Sequence, residues 1–106
     1  MSEGAIICER EFSTVFDGVE HPFVVQWMRP APDQNDWRCE FVIHWPTGPA
    51  VRSYAMGVDS TQALVLALHN AQTRLETSPW SVRWFDHPPG ELGLPSFHAR
   101  PEPSEV

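Results

Sequence analysis

The sequence has no lysine. Its seven basic residues are all arginines, set against fourteen acids for a net charge of −7. They form no basic cluster, so the attraction to phosphate that nucleic acids and anionic membranes demand is missing. An acidic balance keeps a protein soluble, and it also suits steering toward a basic protein partner. Cysteine is scarce too. Cys8 and Cys39 have no CxxC or zinc-finger spacing, and reduced, buried thiols are expected rather than a disulfide. No apolar run exceeds Ala63 to Leu68, far short of a membrane span. The first residues carry no basic region of a signal peptide, so a cytoplasmic location is the default. Internal repeats and low-complexity runs are absent.

What is present is enough for a core. A chain of 106 residues, 42% hydrophobic with five tryptophans, is expected to form one globular domain over 1–97, with 98–106 as a disordered tail. The stretch Tyr54 to Glu76 organises it. Asp59 suits the N-cap of a helix, and Gln62, three residues on, suits the reciprocal bond to the Asp59 N–H. Leu64, Leu68, Ala71 and Leu75 follow at helical spacing, joined by Ala63 and Ala67. One buried stripe results, narrow along its alanine edge.

Before the helix the period changes to two. Residues 5–16 and Pro22 to Arg29 read as strands joined at Asp17-Gly18. A two-residue turn there pairs Phe12 with Phe23 and Cys8 with Trp27, and leaves Arg10 as the odd residue on an apolar face. Pro30 to Asp36 is a loop by composition. Trp37 to Trp45 alternates cleanly, with Trp37, Cys39, Phe41, Ile43 and Trp45 on one face. Ala50 to Val58 returns after a turn at Thr47-Gly48, which pairs Phe41 with Tyr54 and Cys39 with Met56. The opposite face then carries Glu9, Glu11, Gln26, Arg38, Glu40, His44 and Ser53, one dry face backing one polar face. Beyond Ser78-Pro79, the alternation of Trp80, Val82 and Trp84 suits a short fifth strand or a strap. Val65 and Leu66 lie off the helix stripe and need cover, from the 80–97 segment or from a second copy of the chain.

No residue pattern here carries recognisable chemistry. The histidines at 21, 44, 69, 87 and 98 have no metal-ligand spacing, so no metal and no cofactor is expected. Glu40 and His44 share a strand face about 13 Å apart, too far for direct proton transfer. Asp86-His87 is a sequence neighbour pair in a proline-rich loop. Ser60 and Thr61 are first-turn residues rather than nucleophiles, and a glycine such as Gly57 beside a helix start is a weak anion signal.

The segment Trp37-Arg38-Cys39-Glu40-Phe41-Val42-Ile43, followed by Gly57-Val58-Asp59-Ser60-Thr61-Gln62-Ala63-Leu64, resembles an uncharacterised bacterial domain-of-unknown-function family. Gly93-Leu94-Pro95 is similar to that family's tail. The resemblance covers most of the chain; it implies a bacterial source and no activity. The strand-to-helix joint alone is also similar to that of HicB-like antitoxins, with Val58 as an extra residue between glycine and aspartate.

The expected fold is α+β, a four-stranded antiparallel sheet with one helix across one face and the C-terminal strap. Three function classes stay open. The first is an acidic protein-binding module, of immunity-protein or antitoxin-like inhibitor type, meeting a basic toxin or effector through Glu9, Glu11, Arg38, Glu40 and His44. The second is a structural or regulatory homodimer using Val65 and Leu66. The third is an enzyme with an unrecognised site. Neither nucleic acid nor membrane is an expected partner.

Overall fold

Strand alternation and a single capped helix build two layers. The computed structural model describes residues 5–95; the tail expected at 98–106 lies outside them. The elements are β1 (Ile6–Phe16), β2 (Val19–Met28), β3 (Ala31–Asp33), β4 (Asp36–His44), β5 (Val51–Gly57), α1 (Ser60–Glu76) and β6 (Val82–Arg83). All pairings are antiparallel. β5 runs along one edge of β4, while β2 and β3 lie end to end along the other. The lateral order is therefore β5-β4-β2-β1-β6. The fold is α+β as expected, with β3 added to the four strands anticipated and β6 as the short fifth strand allowed for in the strap.

The first hairpin follows the expected register, Phe12 opposite Phe23 and Cys8 opposite Trp27. Asp17 and Gly18 both take positive φ, 54° and 72°, the backbone that a tight hairpin turn requires. The stretch after Pro30 is not simply a loop. β2 shifts by one residue after Met28 and continues as β3, so that Ala31 pairs with Arg38 and Asp33 with Asp36. Composition missed this because Pro32 sits in a three-residue strand with no periodicity to detect.

A larger correction concerns β4 and β5. Phe41 lies opposite Ser53, and Cys39 opposite Ala55, one residue away from the expected pairing. A slip of one exchanges every side chain between faces. Tyr54 and Met56 therefore leave the core face, and Ser53 joins it. The cause is the helix. Gly57 faces α1, and a Cβ there would collide with the backbone of Ala63 and lie 2.8 Å from the Gln62 carbonyl carbon. Small residues at Gly57, Ala55 and Ser53 let the alanine edge of the helix settle on β5.

That alanine edge is the buried row: Ala63, Ala67, Ala71 and Leu75 are sealed, and Leu64, Leu66 and Leu68 pack around them part-buried. Asp59 caps the helix, its carboxylate accepting from the Gln62 N–H at 2.8 Å. The Gln62 side chain reaches back to the Val58 N–H at 2.8 Å, one residue earlier than expected. Opposite the alanines lie Phe23, Val25, Trp27, Cys39, Phe41 and Ile43. The Trp27 indole N–H donates to the Ala67 carbonyl at 3.3 Å, so its buried polar atom is satisfied.

The helix packs on β5, β4 and β2; over β1 the cover is the segment after it. Val82 and Leu92 are buried in the core, and Trp80 and Trp84 pack beside them. Arg10, the odd residue of the inner face, holds this strap. Its guanidinium donates to the Leu92 carbonyl at 2.8 Å and to the Gly93 carbonyl at 3.1 Å, and lies 4.0 Å from the Trp84 ring centroid. Gly93 has φ +70°, and a Cβ on it would strike Trp84 and the guanidinium. Towards its N-terminal end β1 loses this cover. Ile6 is 50% exposed, and Cys8, expected to be buried, is exposed as well.

Candidate acidic face

The polar side chains on the helix-free face of the sheet divide into two groups. In the first, Glu40 uses both carboxylate oxygens: Oε2 accepts from Arg38 Nε at 3.1 Å and Oε1 from Arg52 Nη1 at 3.1 Å. Arg38 also approaches Asp33 at 3.5 Å and lies 3.8 Å over the Tyr54 ring. Desolvation works against the Arg38 charge, but the hydrogen bond and charge of Glu40, with Asp33 beyond, raise its pKa on balance. This cluster is closed. Two arginines answer two carboxylates, and a bidentate acceptor with a stacked guanidinium is a well-formed example of such a pair.

The second group lies on β1 and β2. The Gln26 amide donates from Nε2 to Glu9 Oε1 at 3.0 Å, and its oxygen meets His44 Nε2 at 2.9 Å. An amide oxygen only accepts, so His44 carries a proton on Nε2 in this arrangement. Glu9 thus has a neutral partner. Glu11 and Glu20 have no ion pair among the described residues. Nearby the chain turns at Trp84-Phe85-Asp86, leaving an open cleft of about 780 Å³ bounded by Glu9, Glu11, Ser13, Glu20, Phe85 and Asp86. Phe85 is 78% exposed with φ +54°, a strained backbone for a bulky residue. Trp84 beneath it is held between the Arg10 guanidinium and the His87 ring, the latter stacked at 4.7 Å.

The residues expected to meet a partner, Glu9, Glu11, Arg38, Glu40 and His44, do share one face. They do not act as one patch. Sequence reasoning placed only Arg38 near the acids; the true register adds Arg52 and Tyr54, and Glu40 is neutralised. Neither Glu20 nor Phe85 nor Asp86 was expected at this face, since nothing in their spacing ties them to β1. Asp86 and His87 do not form a pair: the His87 ring instead lies 3.7 Å from Glu91.

Among the described residues, no group of three or more His, Cys, Asp or Glu is placed to hold a metal ion. No helix there is long and apolar enough to cross a membrane. Cys39 is sealed, its thiol donating to the Met28 carbonyl at 3.3 Å. Burial, with the charges of Cys8 and Glu40, pushes that thiol up to about 11. At such a value it is inert as a nucleophile.

The family described as a domain of unknown function (DUF6968) matches residues 8–96. The chain belongs to this family. The match runs from β1 through the helix to the strap, so the Arg10–Trp84 clasp and both acidic groups fall inside the family domain. No curated protein and no solved structure matches the chain.

Proposed function

We propose that this member of the family is an acidic protein-binding module, of immunity-protein or antitoxin-like inhibitor type, that receives a basic partner on the helix-free face of its sheet. The observation that carries this reading is the unanswered charge of Glu9, Glu11, Glu20 and Asp86 on the β1 side, next to a Glu40 cluster that answers itself. Open carboxylates speed encounter with a positive partner and reject a negative one. A nucleic-acid-directed toxin fits, because it must itself be positive to reach its substrate. Arg38, Glu40 and His44 then frame the surface rather than supply its charge.

The test is a pull-down from the native host, with the stoichiometric partner identified and its association measured at low and high salt. A basic partner is expected, associating more slowly in high salt. Reversal of Glu9 and Glu11 should abolish the complex, while reversal of Glu40 should cost stability before it costs binding. A partner indifferent to salt and held through Val65 and Leu66, or a chain that only pairs with itself through them, would contradict this reading.

A further inference from the structure

We infer that the cleft beside β1 is a docking groove for an extended, arginine- or lysine-bearing segment of the partner, which adds to the sheet as a strand along the free edge of β1. This inference rests on the acidic-face reading above and locates its contact.

β1 is eleven residues long, yet β6 pairs with it only at Ser13 and Thr14. After Arg83 the backbone leaves the ladder, and the Trp84 ring, held by Arg10 and His87, forms part of the cleft wall instead of a continued strand. From Glu9 to Phe12 the outer edge of β1 has no strand neighbour among the described residues. The space left by the departing chain is the cleft, about 780 Å³, within the range of roughly 300–1,000 Å³ usual for ligand sites. Four residues of edge span about 13 Å, the length of a short added strand. An exposed edge supplies the backbone donors and acceptors of strand addition, and the flanking side chains supply its selectivity.

Four carboxylates line the cleft against one cation, Arg10, whose guanidinium is held by the Leu92 and Gly93 carbonyls, so the lining selects for positive charge. Glu9 and Glu11 point from alternate positions of β1 onto the polar face, Glu20 joins them from β2, and Asp86 closes the far wall. Side chains two apart on an added strand would meet Glu9 and Glu11 in turn. The exposed Phe85 ring at the rim offers a face to a guanidinium or ammonium. A second copy of the chain is a poor occupant, since it brings a net charge of −7 to an acidic groove. A small polyamine would meet the carboxylates but leave the backbone edge unused.

The experiment is an amide NMR titration of the whole chain with the capped peptide Arg-Val-Arg-Val-Arg. Shifts are expected to centre on residues 9–13 and 84–86. Affinity should fall about tenfold in Glu11→Arg, through like-charge contact, and also in wild type at high salt. A peptide of equal charge, N-methylated along one edge of its backbone, should bind about tenfold more weakly. Equal binding by the N-methylated peptide, or by spermine with the same shifts, would overturn strand addition while leaving the acidic face as the docking side. Shifts centred on Arg38, Glu40 and Arg52 would overturn the groove and keep the basic-partner reading. No binding at millimolar peptide would overturn the groove as well, and the native pull-down separately decides the reading it rests on.

Discussion

The two halves of the helix-free face both present glutamates and treat them differently. Over β4 and β5, arginines at 38 and 52 sit on either side of Glu40, and Tyr54 supports Arg38. Over β1 and β2, Glu9 finds only an amide and Glu11 finds no charge partner among the described residues. The difference lies in what stands beside each glutamate, along its strand and across it. β4 and β5 bring opposite charges to neighbouring positions, whereas β1 sets Glu9 against Gln26 and Glu11 against Val24. A paired half contributes stability; an unpaired half stores charge that only another molecule can answer. The proposed docking belongs to the second.

The largest effect is expected at Gly57, which fixes the register of β5. Gly57→Ala forces a Cβ into the helix backbone and is expected to cost roughly 3 kcal/mol, more than ordinary overpacking of a pliable core. Chemical denaturation measures it. A mutant as stable as wild type would mean that β5 presents the other face to the helix, and the Arg52–Glu40 pair would go with it.

Next in size is a pH effect at Cys39, whose inward position fixes Arg38 and Glu40 outward. Its folded thiol titrates near 11 against an ordinary 9.0. The unfolded chain therefore loses its proton first. The stabilising contribution is complete below pH 9 and is lost as pH rises through 11, a fall on the order of 2 kcal/mol. Cys39→Ala should lack that fall when the stabilities of both proteins are followed between pH 8 and 11. Thiol labelling offers a companion measurement: Cys8 should react in the native protein, while Cys39 waits for unfolding. Rapid labelling of Cys39 would reverse the parity of β4.

Smaller still is the helix cap, which seats the first turn over Gly57. Asp59→Ala should cost about 1 kcal/mol, and Asp59→Asn should recover most of it. Equal denaturation midpoints for wild type and both mutants would mean that the 2.8 Å bond to the Gln62 N–H carries no weight.

Much of this was legible in the sequence. Asp17-Gly18 set the first hairpin, the alternation from Trp37 onward set β4, and Asp59 with Gln62 set the helix start. The β4–β5 register was not, because the stretch between His44 and Val51 is too long to impose a parity. A clue lay in Gly57 and Ala55, two small residues at alternate positions beneath an alanine-edged helix. Cys8 departs from expectation for another reason. Its parity is inward, but the helix does not reach that end of β1, and facing inward is not the same as being covered. The groove was illegible because it joins β1 to residues more than seventy positions away. Arg10 was the one local sign: a charge on a dry face needs a partner, and here the partner is the strap.

The most direct measurement compares two conservative substitutions, Glu40→Gln and Glu11→Gln, by denaturation at low and at high salt. Glu40→Gln should lose about 1 kcal/mol, the scale of a partly exposed ion-pair network, and should lose less as salt screens the pair. Glu11→Gln should lose nothing, and at low salt it should gain slightly as repulsion with Glu9 and Glu20 is relieved. Equal losses in the two mutants, or a loss confined to Glu11→Gln, would contradict the division of this face into a paired half and an open one.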